Sequence, residues 1–117
     1  MNAMNRMIFA VFICMFGFNI HAQAASFNCK SAKTSTEKQV CKTLSLNDAD
    51  VKMSTTYNII RHLVPMGTRG AIQDEQAAWL KQRNLCGAKI TCLSQRYQER
   101  QQKLDQHMQR IYTLGPF

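Results

Sequence analysis

The chain has 117 residues, five of them cysteine, and a formal net charge of +8. That length leaves room for one small core, which gains from covalent staples. The charge suits anionic partners, but basic and aromatic residues are not interleaved as a nucleic-acid surface requires, so nucleic acid is excluded.

At the amino end, Arg6 precedes the twelve-residue apolar run MIFAVFICMFGF, and Ala22, Gln23 and Ala24 form an A-x-A cleavage signal. This pattern predicts a secretory signal peptide over 1–24 and a mature chain of 93 residues, 25–117. The run is too short for a transmembrane span, and no later stretch approaches that length. Cys14 is read as a small hydrophobe within the leader, because Ile13 stands where a lipid-attachment motif needs a small residue. The mature product is therefore expected in the periplasm or secreted, with a charge of +7 from fourteen Lys and Arg against seven Asp and Glu.

Four cysteines remain: Cys29, Cys41, Cys86 and Cys92. In a short exported chain an even number predicts two disulfides. Of three pairings, Cys29 with Cys41 and Cys86 with Cys92 closes the shortest loops. The competing use is zinc, but eleven and five residues intervene where a structural zinc site wants two to four. No cofactor or metal is expected.

From Ala25 to Thr43 the chain is polar, with at most a helical turn over Thr36 to Cys41 capped by Ser35 or Thr36. A first long helix is predicted from Leu46 or Asn47 to Leu63, with Asn47 as N-cap and Asp50 at N3. Its inward face is Leu46, Asp50, Met53, Tyr57, Ile60 and Val64, and Pro65 stops it. PMGTRG reads as a connector. A second helix follows from Ala71 to Asn84, with Ile72, Gln76, Trp79, Arg83 and Cys86 on one face. After the elbow LCGAKITC comes a third helix, from Ile90 to Leu114. Its stripe is Ile90, Leu93, Tyr97, Gln101, Leu104, Met108 and Ile111. The expected fold is all-α, a small disulfide-stapled bundle of three principal helices with a polar N-terminal segment.

Two charges stand on faces that should be apolar, Asp50 on the first helix and Arg83 on the second. An isolated buried charge is too costly to keep, so the pair is expected to meet across antiparallel helices as a bidentate ion pair. Gln76 or Tyr57 would add hydrogen bonds. The competing use is a polar cleft that holds an anionic ligand. Trp79 reads as core or as a partner-binding anchor, with Gln76, Tyr57 and Tyr97 in the same class. No nucleophile with a base and no metal cluster is encoded, and Glu75 and Glu99 read as exposed helix acids, so an enzyme is not expected. An overhanging end of the third helix would leave Met108, Ile111 and Tyr112 uncovered and suggests homodimerisation.

Cys41, Leu46, Asp50, Met53 and Tyr57, then Q-x-x-W-L-x-x-R-x-x-C from Gln76 to Cys86, then C-L-x-x-x-Y-x-x-R-x-x-x-L from Cys92 to Leu104, resemble the LprI-like domain. That family comprises small exported bacterial proteins and takes its name from a mycobacterial lipoprotein that inhibits lysozyme. The resemblance covers nearly all of the mature chain up to Leu104. It implies structural roles for Asp50, Trp79, Arg83 and the four cysteines; Ala49 stands where the family commonly has leucine. It also implies lysozyme inhibition as one function, although a +7 chain would approach a basic lysozyme against repulsion. The leading expectation is a non-enzymatic binding or adaptor module whose partner is an envelope protein or an anionic envelope polymer, with lysozyme inhibition second.

Overall fold

The computed structural model describes residues 25–115. The signal peptide read over 1–24 lies outside the described residues, as do Pro116 and Phe117. The described chain forms a 3-10 turn, Cys29–Ser31, and four α-helices: α1 (Ser35–Lys42), α2 (Leu44–Leu63), α3 (Met66–Asn84) and α4 (Ile90–Thr113).

This corrects the expected three principal helices. The missed helix, α1, is specified at its start. The Thr34 hydroxyl accepts from the Glu37 amide, and the Glu37 carboxylate accepts from the Thr34 and Lys33 amides at 3.2 and 2.7 Å. This reciprocal capping box makes Thr34 the N-cap in place of Ser35 or Thr36. With only Thr36 and Val40 buried, α1 shows too short a period to be read as an amphipathic helix. A disulfide from Cys29 to Cys41 ties the 3-10 turn to it.

Two helix starts also differ. α2 begins at Leu44, two or three residues before the expected Leu46 or Asn47, and Asn47 lies inside it. PMGTRG is no connector: α3 starts at Met66, with the Arg69 amide already donating to the Pro65 carbonyl at 2.9 Å. Proline is tolerated at a helix entrance, and Gly67 and Gly70 cost helix propensity without breaking hydrogen bonds, so turn-like composition misreads this segment. On α4, Ile90 is exposed and Gln101 half-buried, whereas Arg100 is buried.

Side-chain pairings set the topology. Asp50 faces Arg83 and Met53 faces Gln76, so α2 and α3 run antiparallel. Gln76 meets Arg100 and Arg83 meets Tyr97, so α3 and α4 do too. α2 and α4 consequently run parallel, with Asp50 at Tyr97 and Thr56 at Gln101. α1 closes one end: the Thr36 hydroxyl donates to the Gly87 carbonyl at 2.8 Å in the α3–α4 turn. Gly87 has φ +59°, a conformation that favours glycine. A second disulfide, Cys86 to Cys92, closes that turn.

The core takes Leu46, Met53 and Ile60 from α2 and Leu93, Tyr97, Leu104 and Ile111 from α4. α3 supplies little apolar mass; its buried residues are Ile72, Gln76 and Arg83. Ile111 is 5% exposed and Met108 packs against the same cluster, so the end of α4 is covered on its inner side, contrary to the expected overhang. Tyr112 alone of the three stands out, at 63% exposure. Among the described residues no helix is long and apolar enough to cross a membrane.

Thr34→Ala is expected to cost about 1 kcal/mol in urea unfolding, and Cys29→Ser with Cys41→Ser roughly 3 kcal/mol. The backbone amides of Lys33 and Thr34 hold the Glu37 carboxyl below its ordinary range. That contribution is present above the unfolded-state pKa and is lost as pH falls through the lower folded-state value. Glu37→Gln should therefore flatten the acid limb of the stability profile.

Candidate functional site

Two tiers of buried polar groups run between the three long helices. In the lower tier, Asp50 of α2 is fully buried. One carboxylate oxygen accepts from the Tyr97 hydroxyl at 2.8 Å, and the other accepts from the Ser26 amide at 2.6 Å. Arg83, 4% exposed, donates from Nη1 to the Tyr97 hydroxyl oxygen at 3.1 Å. Its Nη1 lies 3.7 Å from Asp50 Oδ1, within ion-pair range but beyond a good hydrogen bond. The expected bidentate pair is thus a relay: tyrosine stands between acid and base, accepting from one and donating to the other.

The remaining donors of Arg83 go to Asn84, whose side-chain oxygen accepts from Nε at 3.2 Å and Nη2 at 3.0 Å. The guanidinium also lies 5.7 Å from the Trp79 ring, and Trp79 meets Tyr97 edge-on at 5.2 Å. Burial and the adjacent Asp50 carboxylate push the Tyr97 hydroxyl well above the usual phenol range, with Arg83 opposing.

The upper tier is centred on Arg100 of α4, 2% exposed, which the sequence reading did not single out as a site. Its Nε donates to Gln76 Oε1 at 2.9 Å, and its Nη1 meets Glu75 at 3.3 Å. Gln76 in turn donates to the Met53 sulfur at 3.2 Å. Gln76 thus belongs to a different cation from the one expected. Tyr57, expected beside the Asp50–Arg83 pair, instead lies under the Arg61 guanidinium at 5.9 Å. Arg100 was legible in principle: it follows Tyr97 by three and precedes Leu104 by four, the spacing of one helix face. Gln101, one position on, fits the same stripe and is less costly to bury, which is why the pattern favoured it.

Glu75 joins the tier to the surface. Burial raises its pKa, but hydrogen bonds from Arg100 and His107 outweigh that, and the net shift is downward. Between α3 and α4 opens a groove of ≈ 340 Å3. Trp79 and Arg100 line it, with Glu75, Arg96, Glu99 and Lys103 around them. Trp79 is partly buried, its indole N–H donating to the Arg96 carbonyl at 3.1 Å, so the ring is held in one orientation with one side packed and part of its surface in the groove. Arg96 and Glu99 pair at 2.8 Å with side chains 39% and 45% exposed. Among the described residues, no group of three or more His, Cys, Asp or Glu is placed to hold a metal. The sequence matches no protein-family model, and no curated protein or solved structure is similar enough to count as a match.

The relay predicts a strongly non-additive cycle. Asp50→Ala or Arg83→Ala alone is expected to cost roughly 3 to 5 kcal/mol, each stranding a buried polar partner, and the double replacement much less than the sum. In a Tyr97→Phe background the Asp50–Arg83 coupling should shift, because the bridging hydroxyl is gone. Raised in the fold, the Tyr97 pKa also sets an alkaline limit: its contribution is complete below the ordinary phenol value of about 10 and is lost as pH rises through the folded-state value. Tyrosinate absorbance assigned to Tyr97 by difference from Tyr97→Phe is expected to appear only with unfolding.

Proposed function

We propose that this chain is a non-enzymatic binding or adaptor module of the bacterial cell envelope, acting in the periplasm or after secretion. The observation that carries this reading is the α3–α4 groove: a tryptophan held by a hydrogen bond and flanked by charges, among them the exposed Arg96–Glu99 pair. Exposed pairs such as Arg96–Glu99 contribute little to stability, so they can exchange partners at small cost. A fixed aromatic beside exchangeable charges is the composition of a binding hot spot. Lys103 makes no ion pair among the described residues, which leaves the groove a net cationic bias toward an acidic envelope protein or an anionic polymer. The leader-like run, the paired cysteines and the likeness of the Gln76–Cys86 and Cys92–Leu104 blocks to the LprI-like domain support an envelope setting.

Lysozyme inhibition is the second reading. The observation in its favour is the pair of groove carboxylates, Glu75 and Glu99, which offer local anionic points to a basic enzyme. The overall charge opposes that approach.

Photo-cross-linkers at Gln82 and Lys103, beside the groove, are expected to capture an envelope protein or polymer in intact cells, and one at Lys52, exposed on α2, is not. Trp79→Ala should weaken capture by roughly tenfold or more. Equal capture from Lys52, or none from the groove positions, would overturn the reading. Protection of cells in a turbidimetric lysis assay by the oxidised mature chain, abolished by Glu75→Gln with Glu99→Gln, would instead favour lysozyme inhibition.

A further inference from the structure

At the end of the bundle opposite α1, the finish of α2, the start of α3 and the finish of α4 come together. Large apolar side chains stand in solvent there: Leu63 at 44%, Met66 at 83%, Tyr112 at 63% and Leu114 at 80% exposure, with Ile59 at 45% a turn below. Segments 55–71 and 106–115 build this end and contain no aspartate or glutamate, while they carry Arg61, Arg69 and Arg110. None of these three arginines forms a salt bridge among the described residues. Arg110, exposed, is engaged only with His107; Arg61, half-buried, with Asn58 and the Tyr57 ring; and Arg69, half-buried, has its Nε enclosed without a partner, which leaves its terminal nitrogens to reach the surface.

From this combination we infer that the Leu63–Met66–Leu114 end docks peripherally on an anionic lipid surface. A second copy of the chain is the poorer occupant, because a symmetric contact would set arginine against arginine with no carboxylate to compensate. An anionic bilayer meets both features at once: headgroups neutralise the arginines, and the interfacial layer takes the apolar tips, with Tyr112 at headgroup depth. Docking of this kind needs no spanning helix. The opposite end is also basic, with Lys30, Lys33, Lys38, Lys42 and Lys89, and it exposes Leu44, Leu85 and Ile90, but Glu37 and Asp48 interrupt it and its charge rests on hydrated ammonium groups. The surface is separate from the α3–α4 groove and goes beyond the binding role proposed for it.

The test is co-sedimentation of the oxidised mature chain with vesicles of phosphatidylcholine alone or mixed with phosphatidylglycerol. Binding is expected only to the anionic vesicles and should fall with salt. Met66→Ser with Leu114→Ser should weaken it at least about tenfold. Arg61→Gln with Arg69→Gln and Arg110→Gln should weaken it about a hundredfold. All five positions lie outside the hydrophobic core, and circular dichroism checks that each variant is folded. Lys33→Gln with Lys38→Gln should leave binding within a few-fold, and Trp79→Ala should leave it unchanged, which separates this surface from the groove. Equal binding to neutral vesicles, no binding, or loss of binding in the lysine variant would overturn the inference. So would a dimer by light scattering that Leu114→Ser dissociates, since a second copy would then be the occupant.

Discussion

α3 is held to the bundle by buried polar contacts beside a small hydrophobic area. α2 and α4 share a conventional apolar seam, whereas α3 fully buries one large aliphatic, Ile72, alongside Gln76 and Arg83, with Trp79 partly buried against the same core. Burying one such aliphatic contributes about 1.5 to 3 kcal/mol. Breaking a buried ion pair by removing one partner costs roughly 3 to 5 kcal/mol, so the Asp50–Arg83 tier rivals the apolar contact, while the Arg100–Glu75 pair, its acid 47% exposed, contributes less. The comparison concerns loss of a partner. An apolar replacement of the whole relay could be as stable, and the polar version is distinguished by directionality: hydrogen bonds through Tyr97 and Gln76 fix how far α3 is rotated and in which register it lies.

That rotation is what shapes the groove. Arg83, buried under Trp79, and Arg100, buried beside Glu75, place the ring and the acid at the α3–α4 seam. The same relay reaches the N-terminal segment, because Asp50 accepts the Ser26 amide, and α1 then closes the turn between α3 and α4 through Thr36. The two disulfides lie at this end, one on each side of the Thr36 contact. Clamping is thus concentrated at one pole. The opposite pole carries no disulfide among the described residues and bears Leu63, Met66, Tyr112 and Leu114 in solvent, near Arg61, Arg69 and Arg110.

Much of this was legible where one physical signal dominated. Helical periodicity, with Pro65 as a stop, located the long helices, and cost arguments marked Asp50 and Arg83 as needing partners. The sequence pattern failed where signals competed. α1 depends on a capping box and a tertiary contact to Gly87, neither of which leaves an apolar period. The start of α3 is written in turn residues, Pro65, Gly67 and Gly70, that the helix tolerates. Tyr97 looked like ordinary core because its ring does pack there; its hydroxyl's role as relay requires knowing that α2 and α4 run parallel. Arg100 stood in the Cys92–Leu104 block but not in the helix stripe, because Gln101 fitted the same face at lower desolvation cost.

The most direct test of the account is residue-resolved hydrogen exchange on Asp50→Asn, which keeps the shape of the acid and removes its charge. If the relay holds α3 in place, amides of α3 lose protection selectively, while those of α2 and α4 along the Leu46–Leu104 seam retain theirs. Uniform loss across the three helices, or unchanged protection of α3, would contradict it.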